Sequence, residues 1–230
     1  HKLACNGVDN ARISLTNVRV PLTALLDKYS QVDASGSFKS AIPSKRGRFL
    51  VVADQLLSGR ICLSVCSMEG AKICLYNAIM YSTTRRQFGE PPVPILTFVS
   101  QQLALCPLIA ELYALTFALD YCKDRYARQT EADHLEVVSL ICALKPTCTW
   151  AAVELGTTCR ERCGGQGFLS CNQFSTFLTA GHAAVTAEGD NIVLMQKAAK
   201  EVLTLFKVRS AKDGFVKTGL NYLASVALPW

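Results

Sequence analysis

Apolar residues recur at helical spacing over long stretches of the 230-residue chain. Apolar side chains three or four positions apart lie on one face of an α-helix and bury that face together. The first stretch contains Leu57, Ile61, Val65, Met68, Ala71, Leu75 and Ile79. The second contains Ile95, Val99, Leu103, Cys106, Ala110, Tyr113, Phe117 and Tyr121. The last contains Ile192, Met195, Ala199, Val202 and Phe206.

Proline, polar and glycine residues divide the chain between these stretches. The segment Glu90–Pro94 ends the first helix, because proline cannot continue one. The polar run 123–133 predicts a turn, and a third helix is predicted over residues 134–163. Gly164 and Gly165 follow that helix as a glycine stop.

Less regular features lie within and between the helices. Pro107 falls inside the second helix, where we expect a kink. Pro146 falls inside the third helix, where we expect a bend or an interruption. A short helix is predicted near residues 173–179, and a loop at 181–189 leads from it into the last helix.

Four long amphipathic helices with short connections predict a mainly α fold, an antiparallel four-helix bundle over residues 48–207. Residues 1–28 alternate apolar and polar side chains and predict a short β segment at the N-terminal end. Residues 29–47 are rich in Ser, Gly, Lys and Pro and predict an exposed connection. Residues 208–230 show no clear period and predict a linker. Because the chain opens at His1 without a methionine, we expect an internal piece of a longer protein.

Composition narrows the class of protein. Only 18% of the residues are charged and 50% are hydrophobic, whereas about 25% are charged in typical soluble domains. We therefore expect an apolar face that a partner subunit, or protein outside this chain, covers. No uninterrupted apolar run reaches the roughly 18 residues that span a bilayer, so we expect no transmembrane segment.

The distribution of charge argues against a nucleic-acid interface, and the spacing of cysteines and histidines argues against a metal site. The net charge of +6 is spread along the chain, without the basic and aromatic cluster of a nucleic-acid interface. Most of the 11 cysteines lie in apolar stretches, as buried thiols do. Since the chain has no CxxC pair and its histidines lack ligand spacing, we expect no metal site.

Three segments at predicted helix ends could carry chemistry, and the first is Arg85-Arg86-Gln87-Phe88-Gly89. The planar fork of arginine suits phosphate oxygens, so this segment could bind a nucleotide diphosphate. Alternatively, the arginines interact with the helix C-terminus and the glycine ends the helix.

The second segment is Cys159–Phe168, which contains Gly164, Gly165 and Gly167. Glycines let a ligand or another chain approach the backbone closely. The segment closes a helix, whereas a Rossmann fingerprint opens one. Alternatively, at least one of these glycines is a plain helix cap.

The third segment is Glu188-Gly189-Asp190-Asn191, which leads into the last helix. A carboxylate in this loop could serve as a general base in an apolar pocket. Alternatively, Glu188 and Asp190 only complement the dipole at the N-terminus of the last helix, where Asp190 or Asn191 could be the N-cap.

Together, the three segments occur in the order and spacing of one family. The sequence resembles the acyl-CoA oxidases of peroxisomes, within the acyl-CoA dehydrogenase superfamily. The resemblance covers His1 to about Lys207 and implies a bundle of the acyl-CoA dehydrogenase C-terminal type. It is carried by Arg85-x-Gln87-Phe88-Gly89, Cys159-Arg160-Glu161-x-Cys163-Gly164-Gly165-x-Gly167 and Glu188-Gly189-Asp190-Asn191, and by Asn6–Asn10 and Val18–Pro21 as closing strands of a middle β domain.

The resemblance implies a cofactor, FAD, between the middle β domain and the bundle, with its tail held by the partner subunit of a homodimer. Arg85, Gln87 and Phe88 would contact the diphosphate and adenosine end of FAD. Gly164 and Gly165 would lie against the same tail. Residues 208–230 would lead toward a further C-terminal bundle outside this chain.

The resemblance also implies a catalytic centre around the third segment. Glu188 matches the position of the catalytic base. Gly189, Asp190 and Asn191 would line the site beside the flavin and the acyl thioester. Arg60 matches an arginine near the substrate.

The implied reaction is the α,β-dehydrogenation of a fatty acyl-CoA to a trans-2-enoyl-CoA, with electrons passed to O2 to give H2O2. Glu188 would remove the Cα proton. The implied localisation is the peroxisome. Two alternatives stay open: an acyl-CoA dehydrogenase that uses an electron-transfer protein, and a non-catalytic helical interaction domain of the same fold.

Overall fold

The computed structural model describes residues 1–214 and 216–219. They fall into two compact units, which divide between Leu57 and Ser58 and are described separately. The helices are α1 Lys45–Ala53, α2 Leu57–Thr84, α3 Val99–Ala127, α4 His134–Arg162, α5 Phe174–Thr186 and α6 Asn191–Asp213. The strands are β1 Ser30–Val32, β2 Phe38–Ser40, β3 Arg86–Gln87 and β4 Val93–Pro94.

Helices α2 and α4 run in the same direction, and α3 runs in the opposite one. Near the starts of α2 and α4, Nη1 of Arg60 lies 3.9 Å from Sγ of Cys142. Near their ends, Nε2 of Gln101, at the start of α3, donates to Oγ of Ser82 at 2.8 Å and to the backbone oxygen of Arg162 at 3.1 Å. The start of α3 therefore meets the ends of both neighbours.

Helices α5 and α6 follow one another along α4 and form the fourth position of the bundle. Nζ of Lys145 on α4 donates to the backbone oxygen of Val185 at the end of α5 and to Oδ1 of Asn191 at the start of α6. Arg209 near the end of α6 bonds to Glu136 at the start of α4, 3.4 Å away. Both helices thus run opposite to α4, and the predicted antiparallel bundle is confirmed.

Helix α4 forms the centre of this bundle, because it packs against α3, α5 and α6. Its buried side chains lie on most of its circumference rather than on one stripe. Those below 3% exposure include Val137, Val138, Ile141, Cys142, Cys148, Leu155 and Cys159.

The face of α3 that the apolar repeat predicted to be buried is exposed. Val99, Leu103 and Phe117 from that stripe are 65%, 71% and 66% exposed. The buried residues of α3 are instead Gln101, Leu105, Leu108, Leu112, Leu119 and Cys122. The prediction was wrong because α3 is apolar on both sides, so spacing alone does not identify the side that packs on α4.

Both prolines lie inside continuous helices, Pro107 in α3 and Pro146 in α4, so Pro146 does not interrupt α4. The bend considered there and the kink at Pro107 stay predictions. Helix α5 extends to Thr186, and only residues 187–190 form the expected loop. Gly181 misled the prediction: it is a buried helical residue, and a side-chain carbon there would lie 3.2 Å from Cγ2 of Val153. Glycine allows close helix packing at that position.

The glycine stop after α4 is confirmed. Helix α4 ends at Arg162, and Gly164 follows with φ +55°.

At the other end of the bundle, α6 continues to Asp213, six residues into the predicted linker 208–230. Residues 215 and 220–230 of that linker lie outside the described residues.

The N-terminal unit contains a hairpin where we predicted a connection. Strands β1 and β2 pair antiparallel with Ser30 opposite Ser40. Residues 1–28, all described, contain one short 3₁₀ turn and no strand, and Ile13 is 82% exposed. The strand prediction for this segment is wrong, since an alternating pattern forms a strand only beside a hydrogen-bonded neighbour. That it ends a middle β domain stays a prediction.

Three helical stretches in the described residues are long and apolar enough to cross a membrane, judged by length and composition only: Lys45–Thr84, Val99–Ala127 and His134–Arg162. Our expectation counted uninterrupted apolar runs and therefore missed them. In His134–Arg162, 67% of the most apolar window is buried inside the bundle. The apolarity of α4 is thus accounted for by its central position.

Candidate active site and cofactor surface

A four-residue loop between α5 and α6 carries the candidate base. Glu188 has φ +56° and Gly189 has φ +111°, so two successive residues have left-handed backbone. A non-glycine residue in that region costs on the order of 1 kcal/mol or more and persists where its surroundings hold it. Such residues concentrate at functional sites, which agrees with the role predicted for this loop.

The carboxylate of Glu188 lies against Gly59, the third residue of α2. A side-chain carbon at Gly59 would lie 2.8 Å from Oε2 and 3.0 Å from Oε1 of Glu188. The absence of a side chain at this position therefore makes room for the carboxylate. Glu188 is nevertheless an exposed residue.

Arg60, the next residue of α2, holds the backbone of the same loop. Its side chain is 8% exposed, and its Nε donates to the backbone oxygen of Glu188 at 3.0 Å. The structure thus places Arg60 beside Glu188, where the resemblance implied an arginine near the substrate. Its observed hydrogen bond goes to the backbone of Glu188.

Lys145 on α4 is a second basic group of this region, and the sequence analysis missed it. It is fully buried, and Nζ donates to the backbone oxygens of Val185 at 3.1 Å and Gly189 at 2.8 Å, and to Oδ1 of Asn191 at 2.8 Å. The available signal was one lysine in the apolar run Leu140–Pro146. Lysine is rarely buried without partners, and here all three ammonium protons have one.

The pKa of Lys145 is lowered from its ordinary 10.5 to about 8, chiefly because burial disfavours the charged form. The nearby positive charge of Arg60 lowers this pKa further, while the negative charges of Asp190 and Glu188 raise it. The site therefore balances two buried cations against two carboxylates.

Asn191 and Asp190 fix the start of α6. Asn191 is 1% exposed, and its Nδ2 donates to Oγ1 of Thr149 at 2.9 Å. Oδ1 of Asp190 accepts from the backbone nitrogens of Ile192 and Val193 at 3.0 and 3.3 Å. Asp190 is thus the N-cap of α6, the structural role considered for it, and Asn191 belongs to a buried network with Thr149.

The first segment forms a hairpin at the far end of α2. The helix ends at Thr84, and β3 pairs with β4 directly afterwards. The alternative in which Gly89 ends the helix is therefore wrong. Arg86 Nη1 donates to the backbone oxygen of Pro92 at 3.1 Å and supports the hairpin.

The other side chains of this hairpin are available for a ligand. Arg85 and Gln87 are exposed, and Phe88 is 77% exposed. The Phe88 ring meets Phe98 edge-on with centroids 6.0 Å apart. An exposed guanidinium, an amide and a supported ring match what a nucleotide diphosphate requires.

The three glycines after α4 differ in what they do. Gly164 has a left-handed φ of +55°. A side-chain carbon at Gly167 would come 2.1 Å from the backbone oxygen of Arg160, so that position requires glycine. At Gly165, by contrast, such a carbon meets nothing within 4 Å among the described residues. The same holds at Gly164, so the small size of both Gly164 and Gly165 leaves room for an external group.

The predicted site residues form two clusters rather than one. Glu188, Gly189, Asp190 and Asn191 meet α2 at Arg60, whereas the hairpin and the glycines meet the other end of α2. Thr84 lies 24 positions after Arg60, which corresponds to about 36 Å of helix. Among the described residues, no three His, Cys, Asp or Glu side chains could hold a metal ion.

Comparison with known proteins agrees with the bundle. Residues 54–203 match the model of the acyl-CoA oxidase C-alpha1 domain. The chain is 36% identical over 214 residues to the peroxisomal acyl-coenzyme A oxidase 2 of Arabidopsis thaliana. The matched region covers 90% of this chain and 31% of that protein.

Two solved structures share the fold. Acyl-CoA oxidase 3 from Yarrowia lipolytica has a TM-score of 0.75 and 25% identity, over 92% of this chain and 33% of that one. Acyl-CoA oxidase-1 of Caenorhabditis elegans, solved with FAD and ATP, has a TM-score of 0.68 and 26% identity, over 88% of this chain and 30% of that one. The chain thus spans about a third of the length of these relatives.

Proposed function

Starting from the fact that the chain belongs to the acyl-CoA oxidase family as its C-alpha1 domain, we propose that it is the central bundle of an FAD-dependent acyl-CoA oxidase. The reaction is the α,β-dehydrogenation of a fatty acyl-CoA to a trans-2-enoyl-CoA, with O2 as the final acceptor and H2O2 as the second product. The proposed location is the peroxisome, which the name of the Arabidopsis relative states for that protein.

One observation carries the proposal: the carboxylate of Glu188 lies on a loop with left-handed backbone, and Arg60 fixes that loop by a hydrogen bond. Glu188 rests on Gly59, and its backbone oxygen is bound by Arg60 at 3.0 Å. The thioester carbonyl of an acyl-CoA acidifies the neighbouring Cα proton, and a carboxylate of fixed position can remove it. Glu188 takes that proton on the exposed side of its carboxylate, and substrate bound there excludes water from it.

The residues at the other end of α2 fit FAD. Arg85 would bind a phosphate oxygen and Phe88 would contact the adenosine end, while Gly164 and Gly165 leave space beside them. FAD supplies the two-electron acceptor for the hydrogen that leaves Cβ.

The separation of the two clusters supports a homodimer. About 36 Å of α2 lies between Arg60 and the hairpin, so one chain does not present both clusters to a single small region. In a two-fold dimer, Arg85, Gln87 and Phe88 of one subunit would complete the site that contains the other subunit's Glu188.

The oxidase proposal is tested by peroxide formation from a fatty acyl-CoA in air, without an added electron acceptor, by the full-length protein. We expect H2O2 and enoyl-CoA in equal amounts. Rapid dye reduction without peroxide would contradict the oxidase and favour a dehydrogenase. No turnover by protein that is loaded with FAD would favour the non-catalytic alternative.

A further inference from the structure

Lys145 connects both sides of the loop that carries Glu188. Its acceptors lie at the end of α5, in the loop and at the start of α6: the backbone oxygens of Val185 and Gly189, and Oδ1 of Asn191. The first lies three residues before Glu188 and the others lie one and three residues after it. One ammonium group on α4 thus fixes the chain before and after the candidate base.

The three hydrogen bonds use the full donor capacity of Lys145. An ammonium group has three protons and no acceptor, and each proton here points to an oxygen. The backbone oxygen of Val185 belongs to the last turn of α5, where helix carbonyls lack partners and a positive charge is favoured. The geometry therefore accounts for a cation at this place better than for a neutral side chain.

Burying Lys145 is nevertheless costly. Its acceptors are two carbonyls and an amide, which are neutral, and such partners only partly offset the free energy that is lost when a charged group leaves water. An apolar side chain of similar length would fill the same volume without that cost. The loss of free energy on burying this ammonium group indicates that Lys145 has a role that an apolar residue could not fill.

The conformation of the loop supplies that role. Glu188 and Gly189 are both left-handed, with φ +56° and +111°. Gly189 adopts a positive φ freely, whereas Glu188 keeps one only where its surroundings hold it. Arg60 holds the backbone oxygen of Glu188, and Lys145 holds the residues that flank it.

We propose that Lys145 is a positioning residue, which holds the Glu188 loop so that the carboxylate rests on Gly59 and faces the substrate. Lys145 itself does not touch the substrate. This inference rests on the proposed function, since it assigns a partner to the base named there. The position of the base is then fixed relative to α4, the central helix of the bundle.

The test compares variants of the full-length protein loaded with FAD. Lys145→Met keeps the length of the side chain without its donors, and Lys145→Gln keeps an amide donor. Leu155→Ala is the control for lost stability, because Leu155 is a buried residue of the same helix, 1% exposed and ten positions away. Each is measured for FAD content, KM for a fatty acyl-CoA and the rate of anaerobic flavin reduction.

We expect Lys145→Met to bind FAD, to keep KM within about twofold and to reduce flavin about 100-fold more slowly, since a displacement of about 1 Å costs a factor of this size. Lys145→Gln should fall between it and the wild type, and Leu155→Ala should keep the wild-type rate. If Lys145→Met does not fold, Lys145→Gln carries the same comparison. A normal flavin-reduction rate in the folded variant would overturn the inference.

A double variant separates positioning from a general structural role. If Lys145 acts through Glu188, adding Lys145→Met to Glu188→Gln should slow flavin reduction less than twofold further. A further 100-fold loss would overturn the inference. If Glu188→Gln alone reduces flavin at the wild-type rate, the assignment of Glu188 as the base fails; if it is slow while Lys145→Met is normal, only the role of Lys145 fails.

Discussion

The carboxylate of Glu188 rests on the backbone of Gly59, so that a side-chain carbon at position 59 would come within 2.8 Å of Oε2. The contact joins the third residue of α2 to the loop before α6, more than 120 residues later in the chain. A side-chain carbon at position 59 would therefore force the Glu188 carboxylate to move. The glycine therefore determines where the candidate base can lie.

Gly59→Ala should separate activity from stability. The added methyl group displaces the Glu188 carboxylate, and we expect flavin reduction to fall at least about tenfold. The free energy of unfolding should stay unchanged or rise by about 0.5–1 kcal/mol, because alanine favours a helix over glycine.

Gly70→Ala is the matched control for this prediction. It makes the same replacement on the same helix, but its methyl group would meet the ring of Phe177 at 3.1 Å rather than Glu188. Activity should stay at the wild-type level. Equal losses in the two variants would show that the carboxylate contact has no special role.

Asp190→Ala tests the cap of α6. Loss of the two hydrogen bonds to Ile192 and Val193 should lower the free energy of unfolding by about 1 kcal/mol. Asp190→Ser keeps an N-cap oxygen and should recover most of that loss in urea unfolding. If both variants unfold as the wild type does, the cap does not contribute to stability.

The buried Lys145 predicts a pH dependence of stability with a definite sign. Its pKa is about 8 in the folded protein against an ordinary 10.5, so between these values the unfolded chain binds more protons. Stability then rises with pH in this window. The wild type should gain stability relative to Lys145→Met from pH 8 to pH 10.5, measured by urea unfolding at several pH values.

The control for this measurement is Leu155→Ala, whose side chain does not titrate. Its difference from the wild type should stay constant over the same range of pH. A wild type that loses stability relative to Lys145→Met as the pH rises would show that the folded protein raises the pKa of Lys145.

The buried cysteines should resist alkylation until the protein unfolds. Burial raises the pKa of Cys148 and Cys159 to about 12 and that of Cys74 to about 11, so these thiols stay protonated near neutral pH. Iodoacetamide at pH 8 should label the exposed Cys171 in the native protein and leave these three unlabelled, as read by peptide mass spectrometry. Native labelling of Cys148 as fast as Cys171 would contradict the packing of α4.

The sequence predicts the bundle well because its helices carry long apolar repeats. It fails where a helix is apolar on two sides: the repeats of α3, with Leu103 and Phe117, and of α6, with Ile192 and Met195, mark exposed faces rather than buried ones. It also fails at residues 1–28, because an alternating pattern does not state whether a neighbouring strand is present. In both cases the error concerns the neighbouring helix or strand with which a segment packs or pairs, and a local sequence pattern does not identify that neighbour.

The candidate site shows the same limit. Glu188 and Arg60 follow from the resemblance, and the structure brings them together. Gly59 and Lys145 do not follow, because a helical glycine is ordinary and a lysine is usually exposed. Their roles appear only when α2 and α4 meet the loop before α6.

The effect of Glu188→Gln on flavin reduction tests directly whether Glu188 is the base. Full-length protein loaded with FAD is mixed anaerobically with a fatty acyl-CoA, and the loss of flavin absorbance is followed in a stopped-flow instrument. Because a general base contributes about 100-fold or more, we expect reduction to slow by at least that factor while the acyl-CoA still binds. Reduction at the wild-type rate would contradict the assignment of Glu188 as the base.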